Sequence, residues 1–136
     1  MDRGDSPLII KRSASAYGHT MLSLIEAIER RGLTVFARID HSAGAHEVGL
    51  ELAAEEVVLF GSPKSGTPLM QSDRRIGIEL PLRMLVWQDA NDVRLGYRDP
   101  LELGGSYEVT AQQAILGQMA KLLAELTAEA AAQPRA

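Results

Sequence analysis

A two-layer α+β sandwich is the fold class that the sequence predicts, with a mixed, mostly antiparallel sheet and its helices on one face. Three observations predict it. Met21, Leu24, Ile25 and Ile28 recur at i, i+3, i+4 and i+7, the spacing of one face of an amphipathic helix. Val57-Val58-Leu59-Phe60 is a short unbroken apolar run, the pattern of a strand buried on both faces. Leu82–Gln88 and Val93–Arg98 are β-rich segments joined by Asp89-Ala90-Asn91-Asp92, a turn-forming link that makes them an antiparallel hairpin. Joined to the remaining segments they give the order β-α-β-β-α-β-β-α.

The first strand is Leu8–Ile10, preceded by a polar stretch, Met1–Ser6, expected to fray. Ser13–Tyr17 lead to the first helix, capped near Gly18 or Thr20 and stopped by Gly32. Leu33–Ile39 follows as a second strand, so a right-handed crossover between parallel neighbours is expected. It ends in Asp40-His41, and the small residues through Gly49 read as a loop or one irregular helical turn. The central strand begins near Glu56 and feeds the loop Gly61-Ser62-Pro63-Lys64-Ser65-Gly66-Thr67-Pro68. Thr67 and Pro68 suit the cap and first position of a helix that runs to Glu79 in two pieces. Leu69, Met70, Ile76 and Ile78 do not share one stripe there, and Gly77 weakens the second piece. After the hairpin, Asp99-Pro100 breaks the sheet and Gly104-Gly105 is a flexible approach to the last helix. Thr110 and Gln113 match a capping box, and Ile115, Met119, Leu122, Leu123 and Leu126 form its apolar seam.

With 136 residues, 46% of them hydrophobic and 24% charged, the chain reads as one domain spanning residues 1–136. A net charge of −4 argues against general nucleic-acid binding. The chain has no cysteine, which removes thiolate metal sites, cysteine nucleophiles and a disulfide framework, and fits a cytoplasmic protein. No apolar run approaches the roughly 18 residues of a membrane span, and the acidic, polar N-terminus is unlike a signal peptide.

Gly61 and Gly66 have the separation of a phosphate-binding P-loop, but Thr67 stands where that motif needs lysine and Pro68 where it needs Ser or Thr. A nucleotide triphosphatase is thereby excluded. A simpler anion site at the start of a helix remains, built from Ser62, Lys64, Ser65, Gly66 and Thr67. His41, at the end of a strand, is a candidate acid, base or ligand. His46 lies off the i, i+4 spacing of a shared metal and His19 is distant, so no metal site is expected. Glu47, Glu51, Glu55 and Glu56 read as a solvated acidic edge, and no serine stands in a G-x-S-x-G elbow.

The runs Thr34–His41, Gly49–Leu52, Val58–Gln71, Leu80–Trp87 and Tyr97–Pro100 together resemble a prokaryotic family, domain of unknown function 302. The likeness covers about residues 8–103, leaving a helix over about 110–132. It implies a small two-layer α+β domain without an established activity, and it picks out His41 and the 61–68 loop. The resulting expectation is a binding module for a small polar or anionic ligand held between His41 and that loop. The alternatives are an enzyme with His41 as acid or base and the loop amides stabilising negative charge, or a purely structural homodimer module. If Trp87 or Met84 points to the other face of the sheet, that face is too apolar to stay bare, which suggests dimerisation or cover by the C-terminal helix. A homodimer is expected, because a small sheet has few ways to cover both faces and its edges. No cofactor is indicated.

Overall fold

The computed structural model describes residues 6–134. The expected fraying of Met1–Ser6 falls on residues 1–5, which lie outside the described residues. The strands are β1 (Ile9–Arg12), β2 (Thr34–Asp40), β3 (Glu55–Gly61), β4 (Leu82–Asp89) and β5 (Asp92–Tyr97). The α-helices are α1 (Tyr17–Arg30), α2 (His41–Glu47), α3 (Pro63–Ser72) and α4 (Gln113–Ala131). Short 3₁₀ turns occupy Arg74–Glu79, Pro100–Gly105 and Thr110–Gln112.

The strands form one five-stranded sheet in the order β1-β5-β4-β3-β2, and every neighbouring pair is antiparallel. The fold class is α+β as expected, but the sheet is antiparallel throughout rather than mixed. The expected parallel crossover does not form. β1 and β2 are not neighbours at all; they are the two edges, with α1 crossing the sheet between them.

Strand alternation separates the two faces. Val58 and Phe60 on β3, Met84 and Val86 on β4, and Val93, Leu95 and Tyr97 on β5 are buried beneath the helices. They pack with Met21, Leu24, Ala27 and Ile28 of α1 and with Leu123, Leu126, Ala130 and Ala131 of α4. A second cluster, Leu69, Ile76, Val109, Leu116 and Met119, joins α3 and the following 3₁₀ turn to the start of α4. α4 therefore belongs to both apolar clusters. Its buried stripe is Leu116, Met119, Leu123 and Leu126, while Ile115 and Leu122 of the expected seam are half-buried.

α1 ends where Gly32 adopts φ +73°, the left-handed conformation that stops a helix. Its start has no side-chain cap, because Ala16 holds that position. Thr20, expected near the cap, lies inside the helix and is buried, its hydroxyl 2.7 Å from that of Ser13. Across the helix layer, Arg30 and Arg31 each donate to Glu129 of α4, at 2.6 and 2.7 Å.

Candidate functional site

The 61–68 segment is where sequence and structure differ most locally. The helix starts five residues earlier than expected. Ser62 is its cap, with extended backbone and its hydroxyl accepting from the Lys64 amide at 3.3 Å, and Pro63 is the first helical residue. Thr67 and Pro68 lie inside α3. Pro68 is tolerated because its ring falls at the sixth helical position, where the carbonyl it denies a partner belongs to Lys64 on the exposed side.

This early start removes most of the expected anion cradle. Pro63 has no amide proton, and the Ser65 and Gly66 amides both donate to the Ser62 carbonyl at 3.1 Å. The amides that would face an anion are occupied within the helix. The Lys64 side chain is exposed.

His41 is not part of the same site. β2 and β3 are antiparallel, with Thr34 opposite Gly61 and Asp40 opposite Glu56. The 61–68 segment therefore lies at the β2 start, and His41 at its far end, about 20 Å away at a rise of ~3.3 Å per residue. The pocket expected between them does not assemble, and neither does an acid–base pairing of His41 with the loop amides. His41 is the exposed first residue of α2, a helix capped by Asp40. The Asp40 carboxylate accepts from the Ala43 amide at 2.9 Å and from the Ser42 hydroxyl at 2.7 Å, which holds its pKa below the usual carboxylate value.

Near that end of the sheet, beneath the helix layer, Glu56 is buried and accepts from the Arg38 guanidinium at 2.5 Å. The phenol of Tyr17 is pushed up to about 12, by burial first and then by the Glu56 and Asp40 charges. Among the described residues no three His, Asp or Glu side chains converge as a metal site would require.

At the other end lies a cavity of about 420 Å³. The cap and first two turns of α3 form one wall, contributing Ser62, Ser65, Gly66 and Thr67. The opposite walls are apolar, formed by Leu33 and Phe36 from β2 and the residue before it, Leu80 and Pro81 before β4, and Met119 and Leu122 of α4. Of the residues named from the sequence, Ser62, Ser65, Gly66 and Thr67 line this cavity; His41 and Lys64 do not. A bulge between Val35 and Ala37 inserts Phe36 into β2, where it remains 54% exposed at the cavity.

The apolar walls escaped the sequence reading because they come from four separate stretches. One signal was present. Leu69, Met70, Ile76 and Ile78 share no single stripe because they serve different surroundings. Leu69 and Ile76 are buried in the second cluster, Met70 lines the cavity, and Ile78 is 77% exposed.

The sequence matches the profile of DUF302, domain of unknown function, over residues 9–126. The chain belongs to the DUF302 family. The match extends into α4, well past the 8–103 core expected from sequence. A crystal structure of an uncharacterized conserved DUF302 protein from Bacillus stearothermophilus superposes with a TM-score of 0.82 at 18% identity, covering 90% of this chain and 97% of that one. It shares the fold. Among curated proteins, "Fluoride-specific ion channel FluC 1" of Brucella suis biovar 1 is 38% identical over 120 residues, 83% of this chain and 47% of the relative. "Fluoride-specific ion channel FluC 2" of Brucella melitensis biotype 1 is also 38% identical, with 44% of its length covered. This DUF302 chain thus spans under half the length of the curated relatives it matches. None of its described helices is long and apolar enough to cross a membrane.

Proposed function

We propose that this DUF302 chain is a binding module for a small, largely apolar molecule carrying one polar end, held in the cavity at the start of α3. The cavity itself carries this reading. Its volume of about 420 Å³ lies within the ~300–1,000 Å³ typical of small-molecule sites. Its walls are apolar with a few hydroxyls on one side, the pattern by which such sites combine affinity with orientation. The Ser62, Ser65 and Thr67 hydroxyls both donate and accept, so they suit a carboxyl, hydroxyl or carbonyl end. Of the small polar or anionic ligand expected from sequence, the occupied helix amides weigh against a free anion. A cytoplasmic location, in keeping with the cysteine-free sequence, and a homodimeric state belong to the same proposal.

A medium-chain fatty acid such as decanoate is a suitable probe, followed by calorimetry and thermal shift. Gly66→Phe projects a ring towards the cavity; a Cβ there meets Leu80 Cδ1 at 3.4 Å and Met70 Cε at 3.9 Å, both ends of flexible side chains. It is expected to abolish decanoate binding while leaving a cooperative unfolding transition. His41→Ala and Lys64→Ala are expected to leave binding unchanged. Equal loss in either of these variants, or no binding of decanoate and decanol by the wild type, overturns the reading.

The relatives' names favour a second reading, in which this module acts alongside a fluoride channel and responds to fluoride. Fluoride titration followed by amide NMR tests it. Saturable shifts confined to one group of residues support it, and uniform salt-like drift rejects it.

A further inference from the structure

The sheet has a second face that no helix covers. Its middle rung runs through all five strands as Ile10, Gly96, Leu85, Val57 and Ile39. Trp87 lies across Gly96, where an added Cβ would stand 3.1 Å from the indole and 3.3 Å from Leu8. The absence of a side chain at Gly96 lets the large ring lie down, so this middle rung is low and apolar from edge to edge. Ile39 at one end is 45% exposed.

The next rung carries charge. Arg94 on β5 and Glu55 on β3 both flank Trp87 on β4. β4 is the central strand, so the two charges stand one strand, about 4.8 Å, to either side of the sheet's midline. A two-fold axis parallel to β4 exchanges the two sides. It brings Glu55 of one copy over Arg94 of the other, twice, where Glu55 joins the long intrachain pairs that Arg94 makes with Asp92 at 3.4 Å and Asp89 at 3.6 Å. The same operation sets Val57 against the bare Gly96 and Leu85 against its own equivalent. A two-fold axis across the strands would instead bring Arg94 towards Arg98 of the other copy, if the strand alternation is continued one residue past β5, and leave Glu55 facing Leu59. Arg83, on β4 and on the same face, meets its own equivalent in the first arrangement. The selection therefore rests on two Glu55–Arg94 attractions against one Arg83 repulsion there and two Arg94–Arg98 repulsions in the other.

The edges of the sheet are poorer candidates for self-association. β1 has only four residues, and β2 is broken by its bulge.

We propose that the uncovered sheet face binds a second copy of this chain, the two sheets packing face to face about a two-fold axis along β4 with reciprocal Glu55–Arg94 pairs. Such isologous packing is the commonest form of homodimer, and aligned sheets stack about 10 Å apart. This surface adjoins the ligand cavity at Leu59, which lies on the uncovered face and lines the cavity, but mass measurements read it without any ligand.

Sedimentation equilibrium is expected to give twice the 14.7 kDa chain mass. Val57→Arg, which puts a charge on the middle rung, is expected to give a folded monomer by circular dichroism. Glu55→Arg, which faces like charge across the interface, is expected to raise the dimer dissociation constant at least about tenfold, a loss of ~1.4 kcal/mol. The chain has no native cysteine, so Leu85→Cys offers a single thiol beside the axis. A short bismaleimide is expected to link Leu85→Cys into dimers and not to link Ile78→Cys, which lies on the 3₁₀ turn after α3. A monomeric wild type, a dimer insensitive to Val57→Arg and Glu55→Arg, or equal linking at both cysteine positions overturns the proposal.

Discussion

Asp73 shows how one side chain ties distant parts of this chain together. Its carboxylate accepts from the Arg75 amide and guanidinium at 2.8 to 3.0 Å, and from the Glu108 amide at 3.0 Å. Arg75, followed by the Glu108 amide, holds its pKa well below the usual carboxylate value. As pH falls below about 4, the unfolded chain binds a proton at this position before the folded one does, so stability is lost through that range. Asp73→Asn is expected to be less stable than wild type at neutral pH, and the difference in melting temperature is expected to shrink as pH is lowered from 4 towards 2. Tyr17 gives the opposite window. Its phenol, raised to about 12 in the fold, stabilises fully below the ordinary pKa near 10 and loses that contribution as pH rises through about 12. Ultraviolet titration is expected to show a late-ionising phenolate that disappears in Tyr17→Phe. Neither role was visible in sequence. Asp73 followed no recognised motif, and Tyr17 depends on Glu56 and Asp40, which reach it only through the sheet.

At the scale of the element, α4 is the test of how periodicity translates into packing. Leu126 is fully buried between α1 and the sheet, so Leu126→Ala is expected to cost about 2–5 kcal/mol in urea unfolding. Leu122 is half-buried at the ligand cavity, and Leu122→Ala is expected to cost clearly less. The sequence seam included both, because residues at i and i+4 share a face whether they meet a core or a cavity wall. Other elements were legible to different degrees. The repeat from Met21 to Ile28 and the stop at Gly32 located α1 closely, since both signals are local. The start of α3 was misplaced by five residues. Ser62-Pro63 and Thr67-Pro68 are equally good helix openings, and the choice falls to Leu69, which must reach the second cluster.

At the scale of the whole molecule, α4 is integral to the fold. It supplies Leu123, Leu126, Ala130 and Ala131 to one apolar cluster and Leu116 and Met119 to the other. A chain ending at Gln112 would leave the helix-facing side of the sheet open beside α1. Such a truncation is expected to lose its cooperative thermal transition, as followed by calorimetry. The sequence by itself determined what local chemistry can specify: the helical periodicity of α1 and α4, the β4–β5 hairpin, the α+β class and the family. Only the tertiary structure decided how the strands outside that hairpin are paired. The segment from His41 to Ala54 is long enough to return β3 beside β2 in either direction, and nothing in its composition distinguishes them. The antiparallel choice sends His41 and the start of α3 to opposite ends of the sheet. It also builds the cavity from four separate stretches of chain, because a sheet's ends collect residues by strand direction and not by their order in sequence.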